Sequence, residues 1–265
     1  MRTEHHPARS LKALSDALKA LCATRTRAAP AEPVRIVTAE ASTGGLLAAA
    51  LTETAGSSAY FERGFNVYSN ASKAELLGVK EATLQKHGAV SVRCTEELAL
   101  GALQHSEANL AMAVSGISGP SGGSQEKPVG LTCITLALKG RLAMERLMAV
   151  RSPLYPHFDA QSAVLLYSGT LQFLFTGMKE AVSCEIAPRD REASGVMGRT
   201  AVRKLSLTAP DPQDYLIHRS DYALRAAVQE AAVREALLAL CACLKGEPLL
   251  DYVEYINKVN FQDIS

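Results

Sequence analysis

Tryptophan is missing from this 265-residue chain, and aromatic residues make up only 5% of it. Little is left for stacking on bases or sugar rings, which disfavours a single-strand or carbohydrate platform. Charge of one sign is missing too: 28 basic and 27 acidic side chains leave a formal net charge of +1. Such a surface lacks the field that draws in polyanions, so no nucleic-acid partner is expected. No apolar run approaches the roughly 20 residues that a membrane helix needs, so no membrane partner is expected either. The six cysteines, at 22, 94, 133, 184, 241 and 243, are scattered and contain no Cys-x-x-Cys. They compose no disulfide framework, and Cys241 and Cys243 face no second ligand pair at a spacing suited to a metal. The expectation is a cytoplasmic, reducing setting with no metal.

What is present is ordinary globular usage, 48% apolar and 21% charged, on a length ample for a core. Residues 1–33 read as an N-terminal extension: Leu11, Leu14, Leu18 and Leu21 mark one face of an amphipathic surface helix, and Pro30 and Pro33 a linker. Val34, Ile36 and Val37 then begin a strand that runs into Glu40-Ala41-Ser42-Thr43-Gly44-Gly45 and a helix-forming Leu/Ala run, with Ser42 or Thr43 suited to cap that helix. A second extended run, 65–69, leads to Asn70 as the expected N-cap of a short helix carrying Lys73. Helices are expected at 81–87 and 94–106. A third strand, 110–114, enters the glycine-rich segment 115–123.

Residues 129–138 and 142–150 read as two strands of a hairpin turning at Lys139-Gly140, and 162–175 as a buried helix. Residues 178–215 look like a long excursion and 221–244 like a long helix. The tail, 248–265, reads as a short helix or an arm onto a neighbouring subunit. Alternating strands and helices predict an α/β fold, a three-layer α/β/α sandwich around a mixed, mostly parallel sheet. The expected division is one domain over 34–265 with an insertion at about 151–220.

Three polar loops stand at the ends of apolar strands, where ligand sites of α/β sheets gather. In the third, Gly116, Gly119, Gly122 and Gly123 would let backbone N–H groups approach an anion, or simply make a turn. In the second, Tyr68 and Lys73 place a phenol and an amine across a strand-to-helix junction. A desolvated lysine can act as a general base and, with a nearby hydroxyl and glycine amides, compose a Ser–Lys hydrolase. The alternative is a solvated helix lysine.

The ordered blocks Glu40-Ala41-Ser42-Thr43-Gly44-Gly45-Leu46, Gly56-Ser57-Ser58, Phe61-Glu62-Arg63-Gly64-Phe65, Tyr68-Ser69-Asn70-Ala71-Ser72-Lys73, His87-Gly88-Ala89-Val90-Ser91, Val114-Ser115-Gly116-Ile117-Ser118-Gly119-Pro120 and Glu126-Lys127-Pro128-Val129-Gly130 resemble the CinA C-terminal domain, the nicotinamide mononucleotide deamidase family. The likeness is dense over 34–150 and resumes loosely at Arg225-Ala226-Ala227-Val228. It implies an amidohydrolase that converts the carboxamide of nicotinamide mononucleotide to a carboxylate with release of ammonia, no cofactor, and a homo-oligomer. It also implies Lys73 as base, Tyr68 shaping the pocket, and substrate contacts from Thr43, Gly44, Gly45, Asn70, Ser115, Gly116, Gly119, Gly122, Gly123 and Arg225. Some relatives carry an extra N-terminal nucleotide-processing domain, which the 33 residues before the likeness do not hold.

One departure falls on the reacting position. The family reads Glu-Ser-Cys-Thr-Gly-Gly, and its nucleophile is the serine; this chain has Ala41 there and Ser42 beside it. A methyl group cannot attack a carbonyl. Ser115 replaces a threonine, and the hydroxyl survives. Two readings remain: an amidohydrolase using Ser42 or a bound water with Lys73, or an inactive relative that binds a pyridine nucleotide or serves as an oligomeric interaction protein.

Overall fold

The computed structural model describes residues 10–150, 164–175, 202–207, 220–247 and 253–257. Helix α1 (Leu11–Ala28) starts where Ser10 Oγ accepts from Ala13 N at 3.2 Å. There follow β1 (Ile36–Glu40), α2 (Leu46–Thr52), β2 (Phe61–Asn66), α3 (Asn70–Leu77), α4 (Glu81–His87), α5 (Val92–Gln104), β3 (Leu110–Gly116) and β4 (Leu131–Lys139). The rest comprises α6 (Gly140–Val150), β5 (Val164–Phe175), β6 (Val202–Leu207), α7 (Ser220–Lys245) and β7 (Val253–Asn257).

The strands form one sheet in the order β2-β1-β3-β4-β5-β6, and β7 pairs with β5. One hydrophobic cluster joins α1, α2, α6 and α7 to one face, through Leu14, Leu18, Leu47, Leu142, Val233 and Leu237. A second joins α3, α4 and α5 to the other, through Leu77, Leu84, Leu98 and Leu103. The three-layer α/β/α expectation therefore holds. The sheet is not mostly parallel: β1–β2, β1–β3 and β5–β6 are parallel, whereas β3–β4, β4–β5 and β5–β7 are antiparallel. The cause is the link from β3 to β4, a loop rather than a crossover helix, which returns the chain in the opposite direction.

Residues 140–150 are a helix, not the second arm of a hairpin. The Glu32 carboxylate accepts from Arg141 N at 2.8 Å and so caps the first turn from 109 residues away, a partner that no local pattern shows. Arg146 is buried in that helix, its guanidinium 5.4 Å over the Tyr167 ring. Residues 164–175 are a strand, not a buried helix. β5 lies between β4 on one side and β6 and β7 on the other. A strand covered on both faces reads as a continuous apolar run, which periodicity cannot tell from a buried helix. β5 and β6 lie within the stretch set aside as an insertion. β7 places part of the tail in the sheet as a strand, where a short helix or a subunit arm was expected.

Helix α1 shows the expected leucine face, and that face is buried: Leu14, Leu18 and Cys22 pack against α7, while Ser15 Oγ donates to Ala50 O of α2 at 2.7 Å. Leu14→Ala removes a fully enclosed side chain there. It should cost about 2–5 kcal/mol and lower the Tm by on the order of 10 °C, measured by circular dichroism. Unchanged melting would show that α1 is dispensable to the core. Cys241 and Cys243 are buried on α7, and burial pushes the Cys243 thiol up to about 12. Among the described residues no helix is long and apolar enough to cross a membrane.

Candidate functional site

The chain leaves β1 for β2 on one side and then crosses to β3 on the other, so the loops after β1 and β3 diverge. In such sheets the crevice at the strand carboxyl ends is the place for a ligand. The three polar loops of the sequence meet there.

The first loop is built around Glu40, which sequence reasoning used only as part of a motif. Its buried carboxylate accepts from Gly45 N (3.1 Å), Leu47 N (2.9 Å) and Ala48 N (2.8 Å), and from the hydroxyls of Thr43 (2.7 Å) and Thr38 (3.2 Å). Glu40 therefore fills the N-terminus of α2, in place of the expected Ser42 or Thr43 cap; Thr43 donates to the carboxylate instead. Gly44 and Gly45 have φ of +61° and +95°, and this left-handed pair turns the chain back over the carboxylate. The serine or threonine followed by glutamate that marks a capping box is absent, so the local signal was missing.

The second loop holds Lys73. Ser69, not Asn70, caps α3, its Oγ accepting from Ser72 N at 3.0 Å; Asn70 begins the helix and is exposed. Lys73 points inward, and its Nζ donates to Tyr68 O at 2.7 Å and Ser69 O at 3.3 Å. Burial lowers its pKa below the ordinary lysine value, partly offset by the Cys94 thiol nearby. This is the buried amine of the two readings offered by the sequence. The Tyr68 ring is 69% exposed, and it is the Tyr68 carbonyl oxygen that meets Lys73. Lys127, in the third loop, was not singled out; its Nζ donates to His87 O, and with Lys73 it acts on Cys94.

The positions after β1 divide between the two faces of the sheet. Ala41 N continues the ladder to Val114 O at 3.0 Å. Alternation carries its methyl to the face of Val37 and Ala39, the face covered by α3 and α5. Ser115 lies on that face too, its hydroxyl donating to Ala89 O at 2.9 Å. Ser42 goes the other way. Its Oγ lies 3.2 Å from where a Cβ on Gly116 would sit, and Thr132 Oγ1, from the α7 side of β4, lies 2.7 Å from the same point. Ser42 O accepts from Gln229 Nε2 of α7 at 2.7 Å, and Gly119 O accepts from Arg225 Nη1 at 3.1 Å.

The structure thus places Lys73 and Ser115 on the α3–α5 face, and Ser42, Gly116, Gly119 and Arg225 on the α7 face. Both hydrogen bonds of Lys73 Nζ go to backbone carbonyls, and none joins it to Ser42. Gly122 and Gly123 lie exposed on the rim. Gln229 was missed, although it falls one helical turn after Arg225 on the same face.

The family model that matches is the CinA C-terminal domain, over residues 18–152. The nicotinamide-nucleotide amidohydrolase PncC of Enterobacter agglomerans is 59% identical over 95 residues, 36% of this chain and 58% of that protein. The protein of the same name from Escherichia coli K12 is 50% identical over 111 residues, 42% of this chain and 67% of that one. The chain therefore spans about three fifths to two thirds of the length of these relatives. Among solved structures, a competence or damage-inducible protein from Enterobacter asburiae superposes with a TM-score of 0.55 at 20% identity, over 89% of this chain and 99% of that one. A CinA superfamily protein from Klebsiella pneumoniae gives 0.54 at 23% identity, over the same shares. At these identities the likeness shows a common fold.

Proposed function

The chain belongs to the CinA C-terminal domain family, and on that premise we propose that it has a nicotinamide-nucleotide amidohydrolase site that binds nicotinamide mononucleotide but lacks the acyl-enzyme step. The nucleotide half of the reading is supported by the relatives named for that substrate and by the retained loops: Lys73, Ser115, the glycines of 116–123, and Arg225 over the third loop. The loss of turnover rests on one observation, the division of residues 41 and 42 between the two faces. Continued alternation from Val37 and Ala39 sets the methyl of Ala41 toward the α3–α5 face, while the hydroxyl of Ser42 stands beside Gly116 and makes no hydrogen bond with Lys73 Nζ. A nucleophile must reach both its base and the carboxamide carbon, and a displacement of even about 1 Å costs on the order of 100-fold. No metal or organic cofactor is part of this reading. Assembly as a homo-oligomer in a cytoplasmic setting belongs to it, and the exposed Tyr68 ring fits a pocket completed by a second copy.

Titration calorimetry with nicotinamide mononucleotide, run beside an ammonia assay, tests the proposal. Binding by the wild type is expected, with ammonia release no greater than that of Ser42→Ala. Ammonia release by the wild type that both Ser42→Ala and Lys73→Ala abolish would make Ser42 the nucleophile and sink the non-catalytic reading.

A further inference from the structure

Helix α7 reaches two of the three loops from one face. Gln229 Nε2 donates to Ser42 O at 2.7 Å, and Arg225 Nη1, one turn earlier, donates to Gly119 O at 3.1 Å. Residues four apart on a helix are separated by about 6 Å along its axis, so α7 ties the first loop to the third at a set spacing. These are the loops that flank the crevice between β1 and β3. Ser42 directly follows the reacting position, and the turn it opens is pinned at Ala41 N by Val114 O of β3 and at Gly45 N by the Glu40 carboxylate. Between those two points, among the described residues, Gln229 supplies the one hydrogen bond that reaches the backbone from another layer of the fold. The peptide unit is planar, so a fixed Ser42 carbonyl also fixes the direction of Thr43 N–H and the course of the chain into Gly44. The turn is open there: Gly44 is exposed, and a Cβ added to it would meet nothing within 4 Å.

We propose that Gln229 is a positioning residue for the carboxamide end of the nucleotide. It touches no ligand; through Ser42 O it sets where the first loop, and with it position 41, stands against the third. The inference rests on the nucleotide reading above, in which the carboxamide belongs at position 41. Without the amide of Gln229 the Ser42 carbonyl loses its partner and the 42–44 backbone is free to turn. The end of the ligand beside position 41 then meets a displaced loop, while the contacts of the rest of the ligand stay in place.

The test uses the full chain. Wild type, Gln229→Met and Gln229→Glu are each titrated with nicotinamide mononucleotide and with the pyridine mononucleotide that lacks the carboxamide. Methionine keeps the length of the side chain and deletes its donor. Glutamate keeps the size and sets a carboxylate against the Ser42 carbonyl, so either variant serves if the other does not fold. The quantity read is the preference for the mononucleotide over the analogue, which should fall about tenfold in both variants. A side chain that served only the fold would weaken both ligands alike and leave the preference as it was. An unchanged preference, whether both affinities hold or both fall together, overturns the inference and leaves the nucleotide reading standing. Failure of the wild type to bind the mononucleotide overturns that reading and the inference with it.

Discussion

Ala41→Ser is expected to raise the rate of ammonia release from nicotinamide mononucleotide by on the order of 1,000-fold or more, since loss of a nucleophile from a hydrolase costs at least that much. The new hydroxyl would project from the β1 end onto the face of Lys73. In the acylation step its oxygen bonds to the carboxamide carbon while the neutral lysine takes the hydroxyl proton. The C–N bond then breaks, and the proton leaves with the nitrogen as ammonia. Water attacks the ester, releases the carboxylate and restores the serine. Lys73→Met in the Ala41→Ser background should return the rate to that of the wild type. The pH profile carries a sign: the base works only when unprotonated, so activity rises with pH through the lysine pKa. Burial lowers that pKa, so the rise should be centred below the ordinary lysine value of 10.5. An Ala41→Ser protein that binds the mononucleotide and releases no more ammonia than the wild type would show that more than the hydroxyl has been lost.

Glu40→Ala should be the most damaging change to the fold around the site. The carboxylate accepts from three backbone N–H groups and two hydroxyls, all within the first loop, the start of α2 and β1. Its removal leaves those donors buried without an acceptor, at a cost of about 4 kcal/mol or more. The Tm should fall by on the order of 10 °C, and binding of the mononucleotide should weaken as the 41–45 turn loses its anchor. Glu40→Gln tests the cause. It keeps the size, but sets an NH2 group against N–H donors, and should lose most of the same stability. A Glu40→Gln protein that melts with the wild type would show that shape, not the carboxylate, organises the loop.

Much of this site is legible in the chain, because its signals are local. The β-branched run before Glu40 and the glycines after β3 each act within a few residues, so the loops at the ends of β1, β2 and β3 can be read directly, although the cap of α3 was placed at Asn70, one residue after Ser69. Lys73 stood out for the same reason, from its place at a strand-to-helix junction. Helix α5 and the long helix α7 follow from apolar spacing. Where long-range partners decide the conformation, local patterns fail. Glu32 caps α6 from 109 residues away, and β5 looked helical because side chains on both of its faces are buried, which leaves an apolar run without alternation. Gln229 lies 187 residues from the Ser42 carbonyl that it holds.

The chain by itself determined the family, the three loops and the substitution of alanine for the nucleophilic serine, all of which depend on residue identity and order. It could not tell on which face of the sheet the Ser42 hydroxyl lies, because that depends on which strands pair. Only the tertiary structure decided that. Pairing of β1 with β3 fixes the alternation at 41 and 42, packing of α3 and α7 on opposite faces gives each face its chemistry, and the β3–β4 register brings Thr132 to Gly116. The Ser42 hydroxyl thereby lies beside Gly116 on the α7 face, while Lys73 Nζ meets backbone carbonyls on the other.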